Sequence, residues 1–170
     1  MVSRFFERKW RPRTTAYRLR VKFAPNPTSL WRDIVVGTGR TIAEFQSAIN
    51  SVVGLDQNHL WFIGNDKDYW DSKVKYQWPQ EYEQSRGGGS GLRTERLENT
   101  GEMTPGEMAR QLDLEQYDRI CYLYDYSDQW GFYAILKEVL DDELRETEPA
   151  VVEIEGESIN QYGPSRERRF

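Results

Sequence analysis

One cysteine and one histidine are all that 170 residues contain, and each scarcity removes a class of function. Cys121 alone excludes an intramolecular disulfide framework, and with His59 as the only imidazole no Cys/His-rich structural zinc site can be assembled. Any metal would have to be held largely by carboxylates. No apolar run approaches the roughly 18 residues needed to span a bilayer, and the arginine-rich N-terminus lacks a signal-peptide core. The expectation is a soluble, cytoplasmic protein that does not engage a membrane. Mean hydropathy is low at -0.82, yet six Trp, ten Tyr and seven Phe bring more burial potential than disordered chains carry.

Charge is unevenly spread. The first 22 residues hold eight basic residues against Glu7, a balance of +7 in a chain of net -5, so the remainder carries -12. The arm FFERKWRPR interleaves Phe5, Phe6 and Trp10 with cations, a composition that contacts phosphates and stacks on bases. It equally suits a solvated tail whose aromatic residues dock on the domain.

Tyr17, Leu19, Val21 and Phe23 alternate with Arg18, Arg20 and Lys22, the period of a strand with one buried and one wet, basic face. Pro25 and Pro27 break it, and residues 30–36 (LWRDIVV) read as its hairpin partner. Thr41 and Glu44 have capping-box spacing, Ile42, Phe45, Ile49 and Val53 share one face, and Gly54 suits a left-handed C-cap, so a helix is predicted over Ile42–Val53. HLWFIG and residues 73–78 read as two further strands. Residues 79–103 have little periodicity and contain RGGGSG, which predicts a flexible loop. Thr104, Pro105 and Glu107 start a short helix. Residues 120–126 (ICYLYDY) and 131–140 (GFYAILKEVL) form a hairpin, and residues 151–155 (VVEIE) a last strand.

Three segments carry a family resemblance. AYRLRVKF with LWRDIVV is similar to a "Y-x-L-x-V … I-W-R-x-I-x-V" hairpin that includes Trp31 and Arg32. TIAEFQSAINSVVGLDQNHLWFI is similar to a helix and strand of pattern "T-L-x-E-L-H-x-x-I-Q-x-x-M-G-W-x-x-x-H-L-H-x-F". YLYDYSDQWGFYAILKEVL is similar to a "Y-x-Y-D-x-G-D-x-W-x-H-x-I" signature, and PAVVEIEGESINQYG to an acidic "P-x-V-V-E-x-x-G-E-x-P-x-Q-Y" close. Together they resemble the plasmid pRiA ORF-three-like family, whose members are often labelled transposon passenger or TnpR-like proteins. Leu55 stands where tryptophan is usual, Ser127 replaces glycine, and Trp61 and Phe132 replace histidines. The resemblance implies an α+β fold with an antiparallel sheet and a packed helix, and no established activity.

Chemistry-bearing constellations are few. Asp125 and Asp128 in YDYSDQW could hold a hard cation or share a proton, but Asp and Ser in a tight turn also bond their own backbone, with Trp130 as a lid over the sheet end. His59 and Asp56 would complete a His-plus-carboxylate set if the two turns met. Asp66, Asp68 and Asp71 have a spacing loosely like a calcium loop without its glycine or distal glutamate, and read as solvated turn acids. Cys121, inside an apolar strand, reads as buried packing. GGGSG lacks the Lys-Ser/Thr of a phosphate loop, His59 has no serine elbow to serve, and serine-recombinase chemistry, which the TnpR label would imply, needs a nucleophilic serine among convergent arginines that is absent from the pattern.

The expected architecture is a single α+β domain, 16–163, with a mainly antiparallel sheet of five to seven strands and one long and one short helix; residues 1–15 are a basic arm and 164–170 a tail. The leading expectation is a non-enzymatic binding or accessory module, needing no cofactor or metal, whose candidate site is the acidic turn of Asp125, Asp128, Trp130 and His59. The partner is a protein or a nucleic acid. One alternative is a nucleic-acid-associated protein contacting phosphates through Arg4, Arg8, Lys9, Arg11 and Arg13, joined by the strand cations Arg18, Arg20 and Lys22. Another is a carboxylate-metal hydrolase built on Asp125, Asp128 and His59. Both Trp31 and Trp130 are expected to anchor the core.

Overall fold

Alternating burial from residue 16 onward makes the first strand, β1 (Ala16–Phe23), in the computed structural model, which describes residues 14–87 and 95–163. It pairs with β2 (Trp31–Gly37) in a register that sets Tyr17 opposite Val36, Leu19 opposite Ile34 and Arg20 opposite Asp33. Helix α1 (Ile42–Val53) begins at Thr41, whose hydroxyl accepts the Glu44 N–H while the Glu44 carboxylate accepts the Thr41 N–H. It ends at Gly54 in the left-handed region, φ 92°. Then follow β3 (Trp61–Gly64), a 3₁₀ turn (Tyr69–Asp71), β4 (Val74–Gln77), α2 (Pro79–Gly87), β5 (Arg96–Asn99), α3 (Pro105–Gln111), β6 (Arg119–Tyr124), β7 (Trp130–Leu140) and β8 (Ala150–Glu155).

The strands form one eight-stranded sheet in the order β5-β4-β3-β6-β7-β1-β2-β8, antiparallel throughout except for the β4–β5 pair. The α+β class holds, with one strand more than the upper expectation and a third helix. The stretch 79–103, expected as a flexible loop, opens with α2 and closes with β5; residues 88–94, which hold most of RGGGSG, lie outside the described residues. β5 is four residues of polar sequence, RLEN, so its pairing left no period-two pattern to read.

Each sheet face has its own core. On the front, Leu19, Val21, Ile34, Ile63, Tyr122, Phe132 and Leu136 meet Ile42, Phe45, Ile49 and Val53 of α1. Burial of each such side chain contributes about 1.5–3 kcal/mol. Gln46 and Asn50 sit on the same buried helix face because Tyr122 reaches them: Gln46 Nε2 donates to Tyr122 Oη at 2.7 Å, and that hydroxyl donates to Asn50 Oδ1 at 2.6 Å. On the back, the turn after β3 folds over Phe62, Leu123 and Cys121; Trp70 packs against Phe62 (5.1 Å between centroids) and Tyr126 (4.8 Å), with the Lys75 ammonium over both Phe62 and Trp70. Cys121 is buried, as its apolar setting implied, and burial pushes its thiol pKa up.

Arg32 is the exception in the front core. Directly opposite Val21 and almost fully buried, it donates from Nε to Val52 O (2.9 Å), from Nη1 to Trp31 O (2.9 Å) and Glu155 O (2.7 Å), and from Nη2 to Gly156 O (3.0 Å). It therefore ties the last turn of α1 to the end of β8. Burial lowers its pKa.

Trp130 is buried at 3% exposure against Phe23, but Trp31 is not the core anchor expected. Its position opposite Lys22 turns it to the back face, where it lies half-buried under the Arg20 guanidinium at 3.7 Å. Two outcomes follow for chemical denaturation. Trp130→Ala should cost about 3–5 kcal/mol and Trp31→Ala only about 1–2; equal losses would contradict the two placements. Arg32→Met should cost about 3 kcal/mol or more by removing four charge-assisted hydrogen bonds, and a loss below about 1 would show that water replaces the guanidinium.

Candidate functional site

The turn after α1 (54–60) and the turn after β6 (125–129) meet because β3 and β6 pair, with Trp61 opposite Tyr124. The Asp125 N–H donates to Leu60 O at 2.8 Å, so the contact is made by backbone as well as by side chains. Asp125 itself takes a left-handed conformation, φ 64°, and Gln129 another, φ 57°, closing the turn through Gln129 N–H to Asp125 O at 2.6 Å.

His59 stands between the two turns. Its Nε2 is 3.7 Å from Asp56 Oδ2 and its Nδ1 is 3.7 Å from Asp125 Oδ2. The ring lies edge-on to Tyr124. Asp56 is the best-held group of the site. Its Oδ1 accepts from Tyr124 Oη and from Gln161 Nε2 (3.3 Å), and its Oδ2 from Tyr162 Oη; its N–H donates to Gln161 Oε1 at 2.8 Å. The Tyr124 hydroxyl in turn accepts the Asn58 N–H at 2.9 Å. Burial alone would raise the Asp56 pKa, but the bonds from Tyr124, Tyr162, Gln161 and the Asn58 N–H outweigh it and bring it down to about 2. Burial and the bond to Asp56 raise the Tyr124 hydroxyl.

Asp125 Oδ1 accepts the N–H groups of Ser127 (3.1 Å) and Asp128 (3.3 Å), the bonding expected of a turn aspartate. Asp128 is exposed at the tip of this turn. Trp130 is directly opposite Tyr124 at the base of the same hairpin, and its Nε1 is buried without a hydrogen-bond acceptor among the described residues. Asp66, Asp68 and Asp71 do gather, with oxygen atoms within 4.8 Å of one another, but in a turn that bonds itself: Asp66 Oδ1 accepts the Asp68 N–H at 2.8 Å.

This geometry bears on the hydrolase alternative. A metal needs donors that converge on one point, and a general base needs a free ring nitrogen facing substrate. Here the two carboxylates face different nitrogens of one ring. The arrangement links two turns.

The strand cations also differ from expectation. Arg18 and Arg20, read as part of a phosphate footprint, both chelate Asp33, which is fully buried. Arg18 reaches Asp33 Oδ2 at 2.7 Å and Glu153 Oε2 at 2.9 Å, and Arg20 reaches Asp33 Oδ1 at 2.7 Å. Burial alone would raise the Asp33 pKa, but the two guanidiniums hold it below its ordinary value. Both cations are thus paired with carboxylates on the back face of the sheet. The hairpin register, with Asp33 opposite Arg20, was the signal that could have found this pair. Arg4, Arg8, Lys9, Arg11 and Arg13 lie outside the described residues.

A family model for plasmid pRiA4b ORF-3-like protein matches residues 15–161, a span that contains all eight strands. The chain belongs to this family. A crystal structure of a protein of unknown function, MM3350 from Methanosarcina mazei Go1, has a similar fold, with a TM-score of 0.59, 15% identity, and coverage of 90% of this chain and 76% of that one. No curated protein matches. Among the described residues no helix is long and apolar enough to cross a membrane. Trp61 and Phe132, which stand at family histidine positions by the resemblance drawn above, pack on the two sides of Tyr122, at 6.1 and 5.6 Å between centroids. In this family member both positions serve the core.

Asp56 supplies a pH test. A carboxyl whose folded pKa is depressed contributes stability that is present above its unfolded value, 3.8, and is lost as pH falls toward about 2. Asp56→Asn should therefore lower stability by about 2 kcal/mol near neutrality, with the gap to wild type closing between pH 4 and 2. A gap that stays constant in urea titrations across that range would show that Asp56 carries no charge-dependent role.

Proposed function

We propose that this protein is a non-enzymatic binding module that takes up an extended polypeptide segment as a ninth strand beside β8. The observation that carries the reading is the state of β8: it ends the sheet, all six of its residues are exposed, and Val151, Val152 and Ile154 are 42%, 51% and 62% exposed. An edge strand has a free row of N–H and C=O groups, and strand addition is a recurring way of recognising peptides. The opposite edge, β5, is four residues long with Leu97 its single apolar side chain.

Two features of β8 limit indiscriminate pairing. The register shifts between Asp33 and Ile34 of β2, leaving a bulge at β8, and Glu153 and Glu155 put charge on the strand. Support for a non-catalytic role comes from the site above, where Asp56 and Asp125 hold turns together and both nitrogens of His59 face carboxylates.

The test is a screen of fluorescently labelled octapeptides against the full chain, with each hit mapped by amide hydrogen exchange. Added protection across 150–155 is the expected result. Protection confined to 56–59 and 125–130 would move the binding site to the acidic turn, and a screen without hits would remove the module reading.

A further inference from the structure

We infer that the strand β8 accepts is a basic one, in which arginine or lysine alternates with aliphatic residues; this rests on the strand-addition reading and names its partner. The β2–β8 register decides what each face of an added strand would meet. Glu153 is opposite Asp33 and Glu155 opposite Trp31, so both glutamates stand on the back face with the Arg18–Arg20 network. Ile154 is opposite Arg32 and Val151 opposite Ile34, which puts both on the front face with α1. Direct cross-strand neighbours share a face, so a strand bonded to β8 continues the same division. Its residues on one face meet two glutamates, and those on the other meet two exposed aliphatic side chains.

Charge selects among the strands that could fit. Residues 141–157, the turn leading into β8 and the strand itself, contain eight acidic residues against Arg145. Such a concentration attracts a cationic segment and repels an anionic one, nucleic acid included. A second copy of β8 is disfavoured by the same charges. Laid antiparallel with Ile154 opposite Ile154, it sets Glu153 against Glu155, and like charges directly opposite are destabilising.

The fold already contains a strand of the required kind. In β1, Leu19 and Val21 enter the front core while Arg18 and Arg20 bind Asp33 and Glu153 on the back face. The same alternation on the outer side of β8 would extend this pattern by one more strand.

Four labelled octapeptides test the inference against the full chain by anisotropy: alternating Arg-Val, the same residues in block order, alternating Glu-Val, and the Arg-Val peptide N-methylated at every second residue. The alternating Arg-Val peptide should bind tightest. Glu155→Gln, which leaves the Arg18–Glu153 pair in place, should weaken it about threefold and the Glu153→Gln/Glu155→Gln pair about tenfold, with Glu155→Gln melting like wild type. Equal binding of the Glu-Val peptide would overturn the basic partner while leaving strand addition standing. Equal binding of the block-order or N-methylated peptide would overturn strand addition and this inference with it, as would no binding by any of the four. Self-association of the free chain that Ile154→Lys abolishes would make a second copy the occupant, and would overturn the inference as well.

Discussion

The Arg32 guanidinium joins three parts of the chain that have no sequence reason to be together. Four of its N–H groups end on main-chain carbonyls: the last turn of α1, β2 itself, the last residue of β8 and the glycine after it. The carbonyl from α1 lies at the negative end of the helix dipole, where a cation is favoured. A guanidinium is suited to this because its planar fork addresses several acceptors at once and stays charged in a desolvated setting. Without it, β8 would keep its ladder to β2 and the Arg18 and Arg20 bonds to Glu153, but the last turn of α1 would lose its side-chain tie to the end of β8.

The next residue, Asp33, does the same on the other face. Arg32 and Asp33 are adjacent in sequence and point in opposite directions, so two consecutive buried charges are solved by two unrelated means. Arg32 is neutralised by dipoles, Asp33 by Arg18 and Arg20. The latter arrangement draws the cations of β1 inward and leaves the outer rim of the sheet acidic. That is why a chain with a basic first strand presents an acidic edge at β8.

The site around His59 is built by registration of turns. β3 and β6 are distant in sequence yet adjacent in the sheet, and their pairing puts the entry to one beside the exit from the other. A C-terminal segment then closes over Asp56 through Gln161 and Tyr162. The hydrogen-bonded chain from Gln46 through Tyr122 and Asn50 to the Asp56 carbonyl continues it into the core, so the polar groups of α1 and of this site form one connected network. The polar groups at this end of the sheet therefore act as its closure.

Features set by neighbours a few residues apart were legible in the sequence. The Thr41 and Thr104 capping boxes, Gly54 as a left-handed cap, the alternation of β1, and the β6–β7 hairpin all follow from local backbone bonding and side-chain period. What tertiary structure decided is everything that depends on which strands become neighbours. The fate of Arg18 and Arg20 and the turning of Trp31 to the back face follow from the register of the β1–β2 hairpin; strand order, the parallel β4–β5 pair and the contact of His59 with Asp125 each require a register between segments far apart in the chain. No local preference encodes such a register. It is chosen by the burial of both sheet faces together, and a one-residue slip would exchange Arg32 and Asp33 between environments that only one of them can satisfy.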